Sequence, residues 1–457
     1  MYRKIYYIGF AGYITLFIFS ILFYKERISF LDGAYFLFHI LKAKSFAIFH
    51  YRYIAVVTEV YPVVAAKLNL SLEAATRLYS IGFIANYFLC YLICGLVLKK
   101  YDFALIILLS NILIMRDTFY WPVSELPQAL ILVSLFFAVL QNISAGNLSG
   151  KFFVIIGSAL IAFSHPLICF PFTYCILFFY LKRNKTIKQE LLRLSFVLFI
   201  AVFILKAIFL RDKYDTSAMS GMRNFLTLFP NYFIIASNIH FLQACLYKYY
   251  WLAISFIAVV VLYAKAKQWF ILLHFLIFFI GYLLLINISH PQIAATPDFY
   301  YENLYLPLCL FVAFPLIFDL LPRISKTNIV VLIFSLVILS SCIRVYNTHK
   351  KYTARLHWYR KKLAELGNTK SLLNKTSMPL DTITMGWATA YEFWLLSTLE
   401  TGRTASIVYM DANEIPYWAL GTRNGFVTNW GVFSYKEFRT PYFVFSDSLS
   451  AYTIKKD

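Results

Sequence analysis

The sequence predicts an all-α polytopic transmembrane bundle of about eleven spans, N-terminus in and C-terminus out, with a small extracytoplasmic α/β domain at its C-terminal end. Three observations predict it. Of 457 residues, 61% are hydrophobic and 14% are charged, whereas a soluble domain carries about 25% charged residues, and the mean hydropathy is +0.68. Apolar runs recur from the N-terminus to about residue 346, as multi-pass membrane proteins require. From about Asn347 onward the composition becomes polar, and helix and strand patterns alternate. The chain therefore divides into a transmembrane domain, residues 1–346, with an interfacial first loop at 25–77, and a C-terminal domain, residues 347–457.

The N-terminal run has Arg3 and Lys4 before about Ile5–Tyr24 and no small-residue cleavage site after it, so it reads as a retained span with a cytoplasmic start. Further spans follow at about Leu78–Leu98, Phe103–Met115, Gln128–Gln141, Phe152–Phe163 and Leu167–Leu181. A basic run, KRNKTIKQE, then marks a cytoplasmic turn. The next spans are Ser195–Leu210, Trp251–Ala264, Trp269–Ile286, Leu304–Leu321 and Asn328–Tyr346. An odd number of crossings places the tail opposite the N-terminus, on the side of the first loop. In the tail, Tyr352–Leu366 has a helical pattern, Thr382–Trp387 that of a strand and Ala388–Leu399 that of an amphipathic helix. Ser406–Asp411 and Tyr442–Ser446 read as further strands.

The formal charge of +20 comes from Lys and Arg scattered at span ends. Anchoring in anionic headgroups accounts for such a distribution, and no nucleic-acid partner is expected. The seven cysteines lie in or beside apolar runs without zinc-ligand spacing, so they read as small core hydrophobes. No metal site and no cofactor is expected.

The first loop is the most informative stretch. Its residues Glu26, Arg27, Asp32, Tyr35, His39, His50, Tyr51, Arg52 and Glu59 are too polar to span and suit helices lying at the membrane surface. Asp32 follows Phe30 and Leu31. A carboxylate against a hydrophobic wall can hold a raised pKa and act as a general base; its plainer role is to cap the helix that starts at Ala34. Glu59 is either a second acid on the same cavity or a solvated surface residue. Arg116, Asp117 and Glu125 put three charges around Trp121-Pro122, with an internal Arg–Glu pair as the structural explanation. His165, in Ser164-His165-Pro166, caps a helix end or contacts a phosphate. His290, Asp298, Tyr300, Tyr301 and Glu302 form the last polar cluster, with Glu302 at a span entrance where it could line a substrate cavity.

SFLDGAYF followed by YRYIAVVTEVYPVVAAKLNLSLEAATRLYS resembles the first extracytoplasmic loop of the GT-C superfamily of polytopic glycosyltransferases. Transfer of a sugar from a polyprenyl-phosphate donor to a glycan, lipid or protein acceptor is what this resemblance implies, in a multi-pass protein of the bacterial inner membrane. It also implies that Asp32 is the catalytic base. Many members have paired acids, whereas Asp32 is followed by Gly33, which argues against a divalent metal. Arg52, Arg116 and His290 are candidates, from their chemistry alone, to neutralise the leaving phosphate; snorkelling to bulk lipid is the alternative for the arginines. Other readings are a transporter or flippase, a structural membrane component, and a lipid-linked glycan polymerase or ligase. The absence of an evident repeat between halves weighs against a transporter. The long Arg211–Tyr249 loop keeps the polymerase reading open.

Overall fold

A computed structural model of the chain describes residues 1–123, 125–143, 148–182, 187–210, 212–292, 297–367, 369–411, 417–445 and 450–455. Among these, six helices are long and apolar enough to cross a bilayer: Tyr2–Leu22, Leu72–Val97, Gln189–Phe209, Trp269–Ser289, Asp298–Arg323 and Thr327–Leu366. A seventh crossing results if Ala236–Tyr247 and Tyr250–Lys265, bent by 95° at their junction, act as one. The remaining expected stretches are helical but short: Tyr101–Ile112, Glu125–Leu140, Leu148–Ala162 and Pro166–Leu181.

Of the about eleven expected spans, six or seven are thus matched among the described residues by helices of spanning length, and the others by shorter apolar helices. At 1.5 Å per residue, a 12-residue helix such as Tyr101–Ile112 covers only about 18 Å. It is apolar on every side because it is a core helix, buried from Phe103 to Ile112. Around it packs the central pillar of the bundle, Asp298–Arg323, whose apolar window is 83% buried against 28–44% for the other long helices. Thus a strongly apolar run in the sequence marks the protein interior as readily as the lipid face.

At one end of the bundle the first loop folds into three short helices, Tyr24–Ile28, Asp32–Ala43 and Val56–Lys67. They pack directly on the C-terminal unit, sharing a hydrophobic cluster that includes Phe38, Leu41, Tyr391, Trp394 and Phe426. Electrostatic ties follow the same seam. Lys25 meets Glu400 at 2.9 Å and Lys42 meets Glu437 at 2.8 Å, while within the first loop Lys44 donates to Asn69 at 2.6 Å. Lys25, Lys42 and Lys44 of the first loop thus serve as local polar fasteners.

The C-terminal unit holds a parallel three-stranded sheet in which β1 (Lys370–Asn374) lies between β2 (Ser406–Met410) and the third member, Thr453–Lys455. A separate antiparallel hairpin pairs β3 (Gly425–Thr428) with β4 (Gly431–Ser434). The first strand therefore precedes the expected Thr382–Trp387, where Pro379 opens a helical turn at Leu380–Ile383 and a bend follows. The expected amphipathic helix exists as Thr389–Thr401, but it is buried continuously from Thr389 to Thr398 between the sheet and the first loop. At Tyr442–Ser446 the described part makes only an isolated bridge, Phe445 to Thr404, and Ser446 lies outside the described residues. Nor is there a break at residue 346. The helix Thr327–Leu366 runs unbroken for 40 residues from the bundle into the C-terminal unit.

Candidate functional site

Asp32 is the first residue of its helix rather than the residue before it; that place belongs to Leu31, whose φ of 44° is left-handed. Such a conformation is costly for a branched side chain and persists only where surroundings impose it. Here Glu392 imposes it. Its Oε1 accepts the Leu31 N–H at 2.6 Å, while Arg355 donates to the Ser29 carbonyl at 2.9 Å and to Glu392 Oε2 at 2.5 Å. Tyr359 also donates to that oxygen. Gly33 completes the turn: a Cβ there would sit 2.9 Å from the Ile28 carbonyl oxygen. Arg27, buried and donating to Ser80 and to the Phe119 carbonyl, anchors the preceding segment. Burial lowers its pKa to about 9.

The Asp32 carboxyl accepts from Trp121 Nε1 at 2.7 Å through Oδ2, and no other described side chain donates to it. Burial pushes its pKa up to about 7; the Trp121 hydrogen bond lowers it and Glu125 raises it further. Desolvation is thus the dominant cause. An acid that is only half-buried, with a single described side-chain donor and a pKa near neutrality, can take up a proton from a ligand hydroxyl.

Around Asp32 the first loop, the start of Glu125–Leu140 and the second long loop converge. Arg52 donates to Asp215 at 2.6 Å, lies 3.8 Å from Glu125 and covers the Tyr214 ring. His50 stacks on the same ring at 4.4 Å and stands 3.0 Å from Asp212. Lys206, near enough to feel Arg52, Asp215 and Asp212, is buried and its Nζ has no hydrogen-bond partner among the described residues. The Nε of Arg52 is likewise buried and unpartnered. One turn along from Asp32, Tyr35 meets Trp387 and Trp430, whose rings stack on each other at 4.8 Å.

No family model, curated protein or solved structure matches this chain. What the site can do rests on its own chemistry. Among the described residues no group of His, Cys, Asp and Glu is arranged to hold a metal ion.

The other expected site residues divide into several roles. Glu59 is fully buried and binds the Ala47 N–H at 2.7 Å, leaving Oε1 unpartnered; burial raises its pKa to about 7. It holds the loop before Arg52 and has no face toward solvent. Glu302 is also buried, accepting from the backbone N–H of Arg116 and Thr118 and from the Thr118 hydroxyl at 2.7–2.8 Å. It pegs a turn instead of lining a cavity. His165 caps a helical turn, with Nδ1 accepting the Leu167 N–H at 3.2 Å, and burial followed by Arg52 and Lys206 lowers its pKa. His290 sits beside Tyr300 and Tyr301, and burial lowers its pKa too. Arg116 pairs with Asp117 at 3.1 Å, not with Glu125, whose cationic neighbour is Arg52.

Sequence reading overlooked Glu392, Arg355, Asp215 and Lys206. Glu392 lies in a helix among the aromatic residues Tyr391, Phe393 and Trp394, and a lone acid in such a run is the signal that could have flagged it, because buried carboxylates need partners.

Proposed function

We propose that this chain is an integral membrane glycosyltransferase that moves a sugar from a polyprenyl-phosphate donor to an extracytoplasmic acceptor, with Asp32 as general base. The observation that carries this reading is the Asp32 carboxyl itself, half-buried, raised to about 7 and held by a single described side-chain donor, Trp121 Nε1. In the step proposed, an acceptor hydroxyl gives its proton to Asp32 as its oxygen forms a bond to the anomeric carbon. The bond from that carbon to the phosphate oxygen breaks, and polyprenyl phosphate leaves with the electron pair. Its growing negative charge calls for cations, and Arg52 and the unpartnered Lys206 supply them from the same cluster. The rings of Tyr35, Trp387 and Trp430 offer flat apolar faces against which a sugar can lie.

In this reading the first loop and the C-terminal unit face the extracytoplasmic side, the N-terminus is cytoplasmic and the protein resides in a bacterial inner membrane. Transfer assays with purified protein and a panel of labelled polyprenyl-phosphate sugars test it. The wild type is expected to release polyprenyl phosphate in an acceptor-dependent manner, and Asp32→Asn to be inactive. Release that continues unchanged in the Asn variant rejects Asp32 as the base.

A further inference from the structure

A concave feature lies apart from the Asp32 cluster and shares no lining residue with it. It is a cleft of about 580 Å³ between the elbow at Tyr247–Tyr250 and the helix Thr327–Leu366, lined by Arg116, Arg344, Lys350, Lys351, Tyr247 and Tyr250 among others. The lining carries four cations and no acid. Two carboxylates lie behind it. Asp117 is shared between Arg116 and Lys351, and Glu302 is engaged by the backbone N–H groups of Arg116 and Thr118. The cleft thus retains an excess of positive charge.

Arg344 is held ready for a ligand. Its Nη atoms donate to the carbonyls of Lys248 at 2.5 Å, Ile112 at 2.9 Å and Leu113 at 3.2 Å, so the guanidinium is fixed in place. Its Nε is buried without a partner. Lys350 has no ion-pair partner among the described residues and is exposed. Next to the cations, Ile343 and Tyr346 of the same helix and Tyr247 of the elbow expose large apolar surface. Cations beside exposed apolar surface, midway along the helix Thr327–Leu366 where its apolar run gives way to a polar one, match an amphiphile with a charged head.

We infer that this cleft is a binding site for a phosphate group, carried on a lipid headgroup or free in water. A fixed guanidinium with an N–H to spare and neighbouring ammonium groups are donors that phosphate oxygens accept well. A merely basic surface does not require a guanidinium immobilised by three carbonyls with a nitrogen left over. The inference does not depend on transfer chemistry at Asp32.

Calorimetric titration of the full-length protein in neutral detergent tests it, with dioctanoyl phosphatidic acid, inorganic phosphate and dioctanoylglycerol as probes. Saturable binding is expected for a phosphate-bearing probe and none for dioctanoylglycerol. If phosphatidic acid alone binds, the phosphate comes on a lipid; if inorganic phosphate binds as well and competes, the site takes the free ion. Lys350→Gln and Arg116→Gln should each weaken binding by about tenfold. Lys361→Gln, an exposed cation farther along the helix, should not. Arg344→Gln removes contacts to three carbonyls, so its effect is read only where its melting temperature matches the wild type. Absence of saturable binding by both phosphate probes overturns the inference. So do unchanged affinities in Lys350→Gln and Arg116→Gln, or an equal loss in Lys361→Gln.

Discussion

Replacing Asp32 with Asn removes the proton-accepting carboxylate while keeping an oxygen for the Trp121 Nε1–H. Two effects of opposite direction are expected. Loss of a single general base lowers transfer by about 10²–10⁴-fold. Stability moves the other way. Burial raises the carboxyl from its ordinary 3.8 to about 7, so the folded state disfavours the ionised form relative to the unfolded chain. The resulting penalty is absent below about pH 4, grows as pH rises and is complete above about pH 7. Its ceiling is on the order of 4 kcal/mol; partial access to water reduces it to about 1–2 kcal/mol. Asn carries no such penalty. For a chain of this size that corresponds to a gain of a few degrees in Tm, about 1–4 °C, at pH 8, disappearing at pH 4. Thermal unfolding in detergent at both pH values and a transfer assay on the same preparations measure the two effects. Wild-type transfer, or a Tm difference that does not depend on pH, refutes the reasoning.

Glu392→Gln should lower transfer by about tenfold or more while shifting the pH midpoint of the rate, since the Leu31 backbone loses a charged acceptor and Asp32 turns; a changed KM with an unmoved pH profile contradicts the positioning role. Gly33→Ala should cost about 1–3 kcal/mol in unfolding experiments, because the added methyl meets the Ile28 carbonyl; equal denaturation midpoints would show that the turn relaxes freely. Arg52→Lys keeps the charge but loses the fork that reaches Asp215 and Glu125, and weaker donor binding in a titration is expected, whereas unchanged affinity removes Arg52 from the donor site. For orientation, single cysteines at Arg403 and Lys265, both exposed, in a cysteine-free background should react from opposite sides of intact cells, with Arg403 labelled from outside.

The helical class and the polar first loop were legible in the sequence because hydropathy and charge are local properties. Asp32 draws attention for the same reason: an acid after Phe30 and Leu31 is conspicuous within a few residues. Which apolar helices are packed inside the protein was not legible. Tyr101–Ile112 and Asp298–Arg323 have the same apolar composition as lipid-facing helices, and only the fold shows that protein rather than lipid surrounds them. Nor could spacing reveal that Glu392, 361 residues after Leu31, holds the turn before Asp32. Glu302 and Glu59 have a structural part that is hidden in a related way. Both are acids in suggestive places, and one oxygen of each is bonded to backbone N–H groups of turns packed against it, a use that side-chain identity does not announce.

The unbroken helix Thr327–Leu366 makes the two ends of the molecule share one angular phase. Ser341, Thr348, Tyr352, Arg355 and Tyr359 are all buried along it, recurring at intervals of three to seven residues as one stripe of a 3.6-residue helix does. The lower part of that stripe meets the bundle, through Ser341 and the Ile112 carbonyl; the upper part meets the Ser29 turn and Glu392. Adding one residue after Tyr346 would leave every local contact chemically possible yet rotate the upper part by about 100°. Arg355 would then swing off the Ser29 carbonyl, and the turn that aims Asp32 would lose its hold. The helix is thus a keyed shaft: indels within it should be far more damaging than substitutions at its exposed positions.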